Sequence, residues 1–285
     1  RMSREGVMKR PVIYTDLDGS LLDHYTYEAT PAKSLLRQLD NLGTPVIPCT
    51  SKTVAEVIPL CRSLNLFGPF IAENGALICV PTNWPIPIPK NSGRTGAYWS
   101  HCMGYPRSAL RAVLDSLEKH WAERYQPLVD LSVDDVMALT QLDARGAARA
   151  LRRDFTETLV WHGSDADFEA LSALMTDRGL QCVRGGRFVH LMGPNNKARA
   201  MEWLQLAIGH YLGGDVVSIG VGDADNDRSL LEATDIALLI RSPVHDFPSL
   251  HRTENTFHSR LYGPEGWVEG VETILTTLLG KEALA

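Results

Sequence analysis

Short apolar runs alternate along this chain with longer stretches of helical periodicity. Val12-Ile13-Tyr14-Thr15, Pro45-Val46-Ile47-Pro48 and Val216-Val217-Ser218-Ile219-Gly220-Val221 are brief and rich in β-branched residues, and Ile236 to Ile240 is another such run. Runs of this kind predict buried strands of a parallel sheet. Between them the apolar period changes to helical spacing. Thr30-Pro31 reads as an N-cap with Pro at the first helical position, Leu35, Leu36, Leu39 and Leu42 mark one face, and Gly43 is the stop. Val54, Val57, Ile58, Cys61 and Leu64 predict a second helix after Thr53. A third starts at Lys197, carries Met201, Leu204, Ile208, Tyr211 and Leu212, and closes at Gly213-Gly214. Leu230, Leu231 and Ala233 begin a short fourth after Asp227. Strands alternating with helices build right-handed βαβ units, hence an open, doubly wound α/β sheet of the Rossmann-like kind.

The middle of the chain follows another pattern. Pro81 to Gly96 is rich in Pro and Gly and reads as a linker. Helical patterns follow at about 108–125 and 144–155, then a strand at 157–161, a helix at about 165–178, and strands at 180–183 and 187–192 joined through Gly185-Gly186. These predict an α+β cap domain at 86–192, inserted between core segments 1–85 and 193–285.

Composition narrows the function classes. Over 285 residues, 44% are hydrophobic and 22% charged, which is ordinary globular usage. The 34 Asp+Glu against 28 Lys+Arg give a net charge of −6, which argues against a protein that coats nucleic acid. Lysine is scarce: Lys9, Lys33, Lys52, Lys90, Lys119, Lys197 and Lys281 stand among a majority of arginines. The five cysteines are widely spaced with no CxxC pair, which fits a reducing compartment. Arg1 to Arg10 lacks the apolar stretch of a signal peptide, and no run of 18 apolar residues exists. The expectation is a cytoplasmic protein with no membrane partner.

Three of the predicted strands end in polar loops that carry chemistry. Asp16-Leu17-Asp18-Gly19-Ser20 follows the first, Thr50-Ser51-Lys52-Thr53 the second, and Gly222-Asp223-Ala224-Asp225-Asn226-Asp227 the third. Open α/β sheets bind ligands outside the carboxyl ends of their strands, so the pattern predicts convergence of Asp16, Asp18, Thr50 and Asp223 on one edge. In extended backbone Asp16 and Asp18 point the same way, and two carboxylates on one face need a cation or a shared proton. An isolated DxDG is equally an ordinary turn. The acidic loop is not a calcium EF-hand, because Arg228 and Thr234 occupy its Gly and Glu positions. What remains is an all-oxygen site for a hard cation, with magnesium favoured over zinc. No dinucleotide GxGxxG, P-loop, HExxH or GxSxG motif is present.

Taken in order, DLDGSLLD, a Thr after the second strand, a later Lys and GDADND resemble the haloacid dehalogenase-like superfamily in its phosphatase branch. Ser20 replaces the Thr usual in the first motif. The segments PCTSKTVAEV, FIAENGALICVP, RGGRFVHLMGPNNKARA and GVGDADNDRSLLEATDIALLI resemble more narrowly the mannosyl-3-phosphoglycerate phosphatase family, with TSKT in place of the TGR of relatives acting on other sugar phosphates. The match covers most of the core and the last cap hairpin; residues about 95 to 165 are unmatched.

The resemblance implies residue roles. Asp16 matches the nucleophile that forms an aspartyl-phosphate, and Asp18 the general acid/base, whose main-chain carbonyl reaches magnesium. Thr50 matches the hydroxyl that holds the phosphoryl group, and Lys197 the lysine that neutralises it. Asp16, Asp18 and Asp223 match metal ligands, with Asn226 or Asp227 alongside. Ser51, Lys52, Asn74, Gly75, Arg184 and Arg187 are the candidates for contact with a small phosphorylated sugar; each also has a plain reading as turn or surface residue. His190 reads as packing, and His24 and His101 carry no assignment. The implied reaction is magnesium-dependent phosphomonoester hydrolysis. Alternatives are hydrolysis of glucosyl-3-phosphoglycerate, sucrose phosphate or hexose phosphates, phosphotransfer to a sugar, and a silent sensor.

Overall fold

The computed structural model describes residues 9–280 and 282–284, so most of the N-terminal segment expected to lack a leader lies outside the described residues. The first part of the chain runs β1 (Arg10–Thr15), α1 (Lys33–Asn41), β2 (Val46–Pro48) and α2 (Val54–Ser63). Next come β3 (Phe70–Ala72), β4 (Leu77–Pro81), β5 (Gly93–Thr95) and β6 (Tyr98–Cys102). Then follow α3 (Arg107–Asp115), β7 (Tyr125–Pro127), α4 (Val133–Thr140), α5 (Ala144–Ala150), β8 (Glu157–Trp161), α6 (Asp165–Asp177), β9 (Gln181–Arg184) and β10 (Val189–Met192). The last part comprises α7 (Lys197–Leu212), β11 (Val216–Gly222), α8 (Arg228–Ala233), β12 (Ile236–Arg241), β13 (Thr256–Tyr262) and α9 (Glu265–Leu279).

Five parallel strands form the central sheet in the order β13-β12-β11-β1-β2. The two-residue period of β1 divides its side chains between two cores. Ile13 packs with Leu35, Leu39, Trp267 and Val271 on the α1/α9 face. Val12 and Tyr14 pack with Met201, Leu204, Ile208 and Trp99 on the α7 face. Each such buried side chain contributes about 1.5–3 kcal/mol. Helices on both faces make this the doubly wound α/β arrangement expected. The Trp267 indole N–H donates to the Thr15 hydroxyl at 2.9 Å, which satisfies a polar group deep in the core.

Some local expectations give way. Thr30 is not an N-cap: Thr30–Ala32 forms a 3-10 turn without a side-chain cap, and α1 continues from it. Thr53 does cap α2, in a capping box with Glu56. The Pro- and Gly-rich stretch from 81 to 96 is only partly a linker, since β5 and β6 join β3 and β4 in an antiparallel sheet, order β3-β4-β6-β5. Trp99 of β6 sits in the α7-face core. This sheet spans residue 86, the expected domain junction. The helix expected at 108–125 is split into α3 and a 3-10 turn at Lys119–Glu123, and β7 and α4 follow where the sequence showed no element.

Strands β7, β8, β10 and β9 form an antiparallel sheet of their own, with the 181–192 hairpin as expected. Leu110, Leu114, Leu171 and Met175 cover one face through α3 and α6. Leu128, Val136 and Ala147 form a small cluster on the other, beside Val160 and Phe188. No described helix is long and apolar enough to cross a membrane. All five cysteines are free; burial pushes the Cys49, Cys61, Cys79 and Cys182 thiols up to about 12.

Candidate active site

The carboxyl ends of β1, β2 and β11 and the start of α7 deliver the expected side chains to one place. Asp16 directly follows β1, and its backbone N–H donates to the Val221 carbonyl at 2.8 Å. Lys197, the first residue of α7, is completely buried. A cation at a helix N-terminus opposes the helix dipole. The opposition is overcome by two carboxylates: Lys197 Nζ lies 3.0 Å from Asp16 Oδ1 and 2.6 Å from Asp227 Oδ1. Burial works against the lysine charge, but Asp16 and Asp227 outweigh it and hold the pKa above its ordinary value.

Asp16, Asp223 and Asp227 place carboxylate oxygens within 4.8 Å of one another. Three buried carboxylates facing one buried lysine leave excess negative charge. Burial pushes the Asp16 carboxyl well up, and the Asp227 charge adds to it against Lys197. An all-oxygen donor set with unbalanced negative charge fits a hard divalent cation. The backbone is shaped to keep the space open. Gly19 has φ +82°, and a Cβ there would stand 2.7 Å from Asp223 Oδ2. Ser20 Oγ donates to Asp223 Oδ1 at 3.2 Å. Asp227 Oδ2 accepts the Asp223 and Ala224 N–H groups at 2.9 and 3.1 Å, which folds the acidic loop around that carboxylate.

Asp18 departs from the expected geometry. Strand β1 ends at Thr15, so the two-residue period no longer holds, and the Asp18 carboxylate turns to Lys52 Nζ at 2.9 Å instead of joining Asp16. Both carboxylates still line one cleft, together with Thr50, Ser51, Lys52, Arg187 and Asn226. Thr50 is buried, and its hydroxyl accepts the Lys52 N–H at 3.1 Å. Lys52 is shared between Asp18 and Glu56, the latter at 3.6 Å, and those carboxylates hold its pKa up against burial.

Other candidates land elsewhere. Asn74 and Gly75 are not on the cleft wall. Asn74 is a clamp: its N–H donates to the Thr50 carbonyl, and its Oδ1 accepts the Asn226 amide at 3.0 Å. Gly75 is required by contact, since a Cβ would stand 2.1 Å from the Asn196 carbonyl oxygen. Arg184 pairs with Asp165 at 2.9 Å and lies over Phe168, away from the cleft. Arg187 does reach the cleft, where it donates to the His24 carbonyl beside the Tyr27 ring. His190 is buried on the cleft wall against Thr158 Oγ1 at 3.2 Å. Burial, aided by Arg153 and Lys197, lowers its pKa to about 3.

The sequence reading missed Tyr27, Glu56, Arg153, Glu73 and His245. Buried Glu73 accepts the Asp154 and Phe155 N–H groups and the Thr156 hydroxyl, the last at 2.9 Å. That ties the segment entering β8 to the core. His245 Nε2, on the loop after β12, lies 3.3 Å from Asp223 Oδ2. Glu56 lies in the first turn of α2, whereas Tyr27, Glu73, Arg153 and His245 come from turns or loops.

A doubly wound sheet whose acidic edge is roofed by an α+β unit is a capped α/β architecture. Residues 13–90, which carry Asp16, Asp18, Thr50 and Glu73, match the family model for haloacid dehalogenase-like hydrolases. Solved structures share the architecture over nearly the whole chain. The sucrose-phosphatase of Synechocystis, solved with sucrose and phosphate, has a TM-score of 0.61 at 13% identity, covering 93% of this chain and 98% of its own. A haloacid dehalogenase-like hydrolase of Bacteroides thetaiotaomicron has a TM-score of 0.60 at 16% identity, covering 93% and 100%. The subclass IIB sugar phosphatase BT4131 has a TM-score of 0.57 at 15% identity, covering 81% and 87%.

Proposed function

We propose that this protein is a magnesium-dependent phosphatase of phosphorylated sugar conjugates, of the haloacid dehalogenase-like kind, working through an aspartyl-phosphate on Asp16. The observation that carries the reading is the buried Asp16–Lys197–Asp227 group beside Asp223 at the sheet edge. An anionic nucleophile can approach an anionic phosphoryl group only where cations offset the repulsion. Lys197 supplies one such charge at hydrogen-bond distance from the nucleophile. Asp16, Asp223 and Asp227, with the Asp18 main-chain carbonyl and Asn226, are the residues that would hold magnesium. When bound, the ion supplies further charge neutralisation and orients the phosphoryl group.

Asp16 attacks phosphorus and the leaving oxygen departs, which splits one slow displacement into two steps. Asp18 lies on the cleft two residues away, where it donates the proton to the leaving oxygen and later takes one from water. Its ion pair with Lys52 at 2.9 Å keeps the carboxylate on the cleft. Thr50 holds a phosphoryl oxygen through its hydroxyl. The inserted unit roofs these groups and excludes water during transfer. With this reading we place the cap at about 105–192, after the β3–β6 sheet.

Among sugar conjugates we put mannosyl-3-phosphoglycerate first, on the TSKT, ENGA and RGGRFVH segments, and place the enzyme in the cytoplasm. The sugar phosphatases among the structural neighbours support the substrate class, and the sucrose- and glucosyl-type substrates stand as alternatives. A phosphate-release screen with magnesium checks it. Preference for mannosyl-3-phosphoglycerate is expected; equal or better turnover of simple hexose phosphates contradicts the narrower assignment.

A further inference from the structure

Arg153 is assigned no part in the chemistry above, yet it is built into the cleft. It lies in the segment entering β8, is 8% exposed, and lines the same cavity as Asp16, Thr50 and Lys52. Its Nη1 donates to the Ser51 carbonyl at 3.1 Å and to Thr156 Oγ1 at 2.9 Å. Those two bonds fix the side chain against the core. The Nε atom is buried with no hydrogen-bond partner. A buried N–H of a charged group left unmatched is costly. Among the described residues Arg153 also makes no ion pair, whereas Lys52 has Asp18 and Glu56.

Arg187 repeats the pattern from the β9–β10 connection. It lines the cleft, donates to a backbone carbonyl and lies 4.9 Å from the centre of the Tyr27 ring, again without a carboxylate. The cleft therefore has two electrical ends. The Asp16–Asp223–Asp227 end is short of positive charge. On the Arg153–Arg187 wall, among the described residues, neither guanidinium makes an ion pair, and the buried Glu73 reaches Arg153 through Thr156 Oγ1, which bonds both. The scissile phosphoryl group belongs at the first end, beside Lys197. A substrate suited to both ends carries a second anion. The Nε side of a guanidinium presents two parallel N–H groups at the spacing of a carboxylate.

We propose that Arg153, with Arg187 on the same cleft, holds a carboxylate carried by the substrate away from its phosphate, and is the residue by which this enzyme selects acidic phosphomonoesters. The inference rests on the phosphatase reading above and adds the residue that reads the acid. Arg184 takes no part, because Asp165 already neutralises it.

The test compares 3-phosphoglycerate with glycerol 3-phosphate, which share a skeleton and differ by the carboxylate. With magnesium present, kcat/KM of the unaltered enzyme is expected to favour the acid at least about 10-fold. Arg153→Gln is expected to lower that ratio by about 10- to 100-fold, the weight of a charge-assisted hydrogen-bonded pair. Arg153→Lys, which keeps the charge without the fork, retains part of the preference. Arg187→Gln, at a half-buried position less critical to folding, lowers the ratio in the same direction. Equal kcat/KM for both esters in the unaltered enzyme overturns the subsite. So does an Arg153→Gln enzyme that loses both esters equally, which would place Arg153 on the scissile phosphate. Release from a phosphorylated sugar with none from either ester overturns the subsite and leaves the phosphatase reading standing; no release from any of the three overturns the phosphatase reading.

Discussion

Lys197 is a fully buried cation shared by two carboxylates, Asp16 and Asp227, and its removal is the sharpest residue-level change. Lys197→Met leaves Asp16 and Asp227 without their shared partner. Breaking a buried pair from one side costs about 3–5 kcal/mol, so denaturant unfolding is expected to show a loss of that order in chelator, part of it restored by magnesium. His190 makes an opposite prediction about pH. Its folded pKa of about 3 lies below the value near 6.5 of an unfolded histidine, so the unfolded chain binds the extra proton. Its contribution is present above pH 6.5 and declines as pH falls toward 3. Between pH 7 and 5 the unaltered protein should lose about 2 kcal/mol more than His190→Gln, read by denaturant titration at both pH values. The residues legible in the sequence were those anchored to periodic elements: Asp16 after a strand, Thr50 after a strand, Lys197 at a helix start, Asp223 after a strand. Arg153 and His245 were illegible because nothing around them is periodic; tertiary placement brings Arg153 to the cleft and His245 to Asp223, while Glu73 acts as a tie to the 154–156 segment. Asn74 and Gly75 were correctly put in a post-strand loop, but their bonds to Thr50, Asn226 and Asn196 make them braces of the edge, off the cleft wall.

At the level of elements, close packing decides what the period alone does not. Helix α9 lies against β12 so tightly that a Cβ on Gly270 would stand 2.3 Å from Leu238 Cδ1. Gly270→Ala gains helix propensity but overpacks this contact, and a net loss of about 1–3 kcal/mol is expected in thermal unfolding. An unchanged Tm would show that the sheet yields there. Strands β1, β2, β11 and β12 and the helices α1, α2, α7 and α8 could be read because their apolar spacing is regular and most have a stop or start residue. Helix α9 was overlooked although Trp267, Val271, Ile274 and Leu275 have helical spacing; it has no side-chain cap at its start, only Pro264. Strand β13 is an edge strand with mostly exposed side chains, so alternation is blurred. Proline and glycine density hid β5 and β6, which are tolerated because β5 is an exposed edge of its sheet.

The whole molecule separates charge between the two sides of one cleft. The net −6 argued against a nucleic-acid partner, but it hid an acidic cluster at the sheet edge and unpaired arginines on the roof. If the acidic cluster holds magnesium, added magnesium should raise Tm, by a stabilisation of about 2.7 kcal/mol at 100 times Kd, and Asp223→Asn should abolish most of that shift. The roof is fastened at several points: the Tyr27 hydroxyl donates to the Thr140 carbonyl, Thr53 Oγ1 to the Arg149 carbonyl at 2.8 Å, and Glu73 takes the 154–156 segment. The claim on which everything else depends is that Asp16 is the nucleophile of a metal-dependent phosphatase. Phosphate release from a phosphorylated sugar, measured side by side for the unaltered enzyme and Asp16→Asn with magnesium and with chelator, tests it most directly. Release that needs magnesium and falls at least about 1000-fold in a folded Asp16→Asn protein is the predicted result; undiminished release by Asp16→Asn, or full activity in chelator, would contradict it.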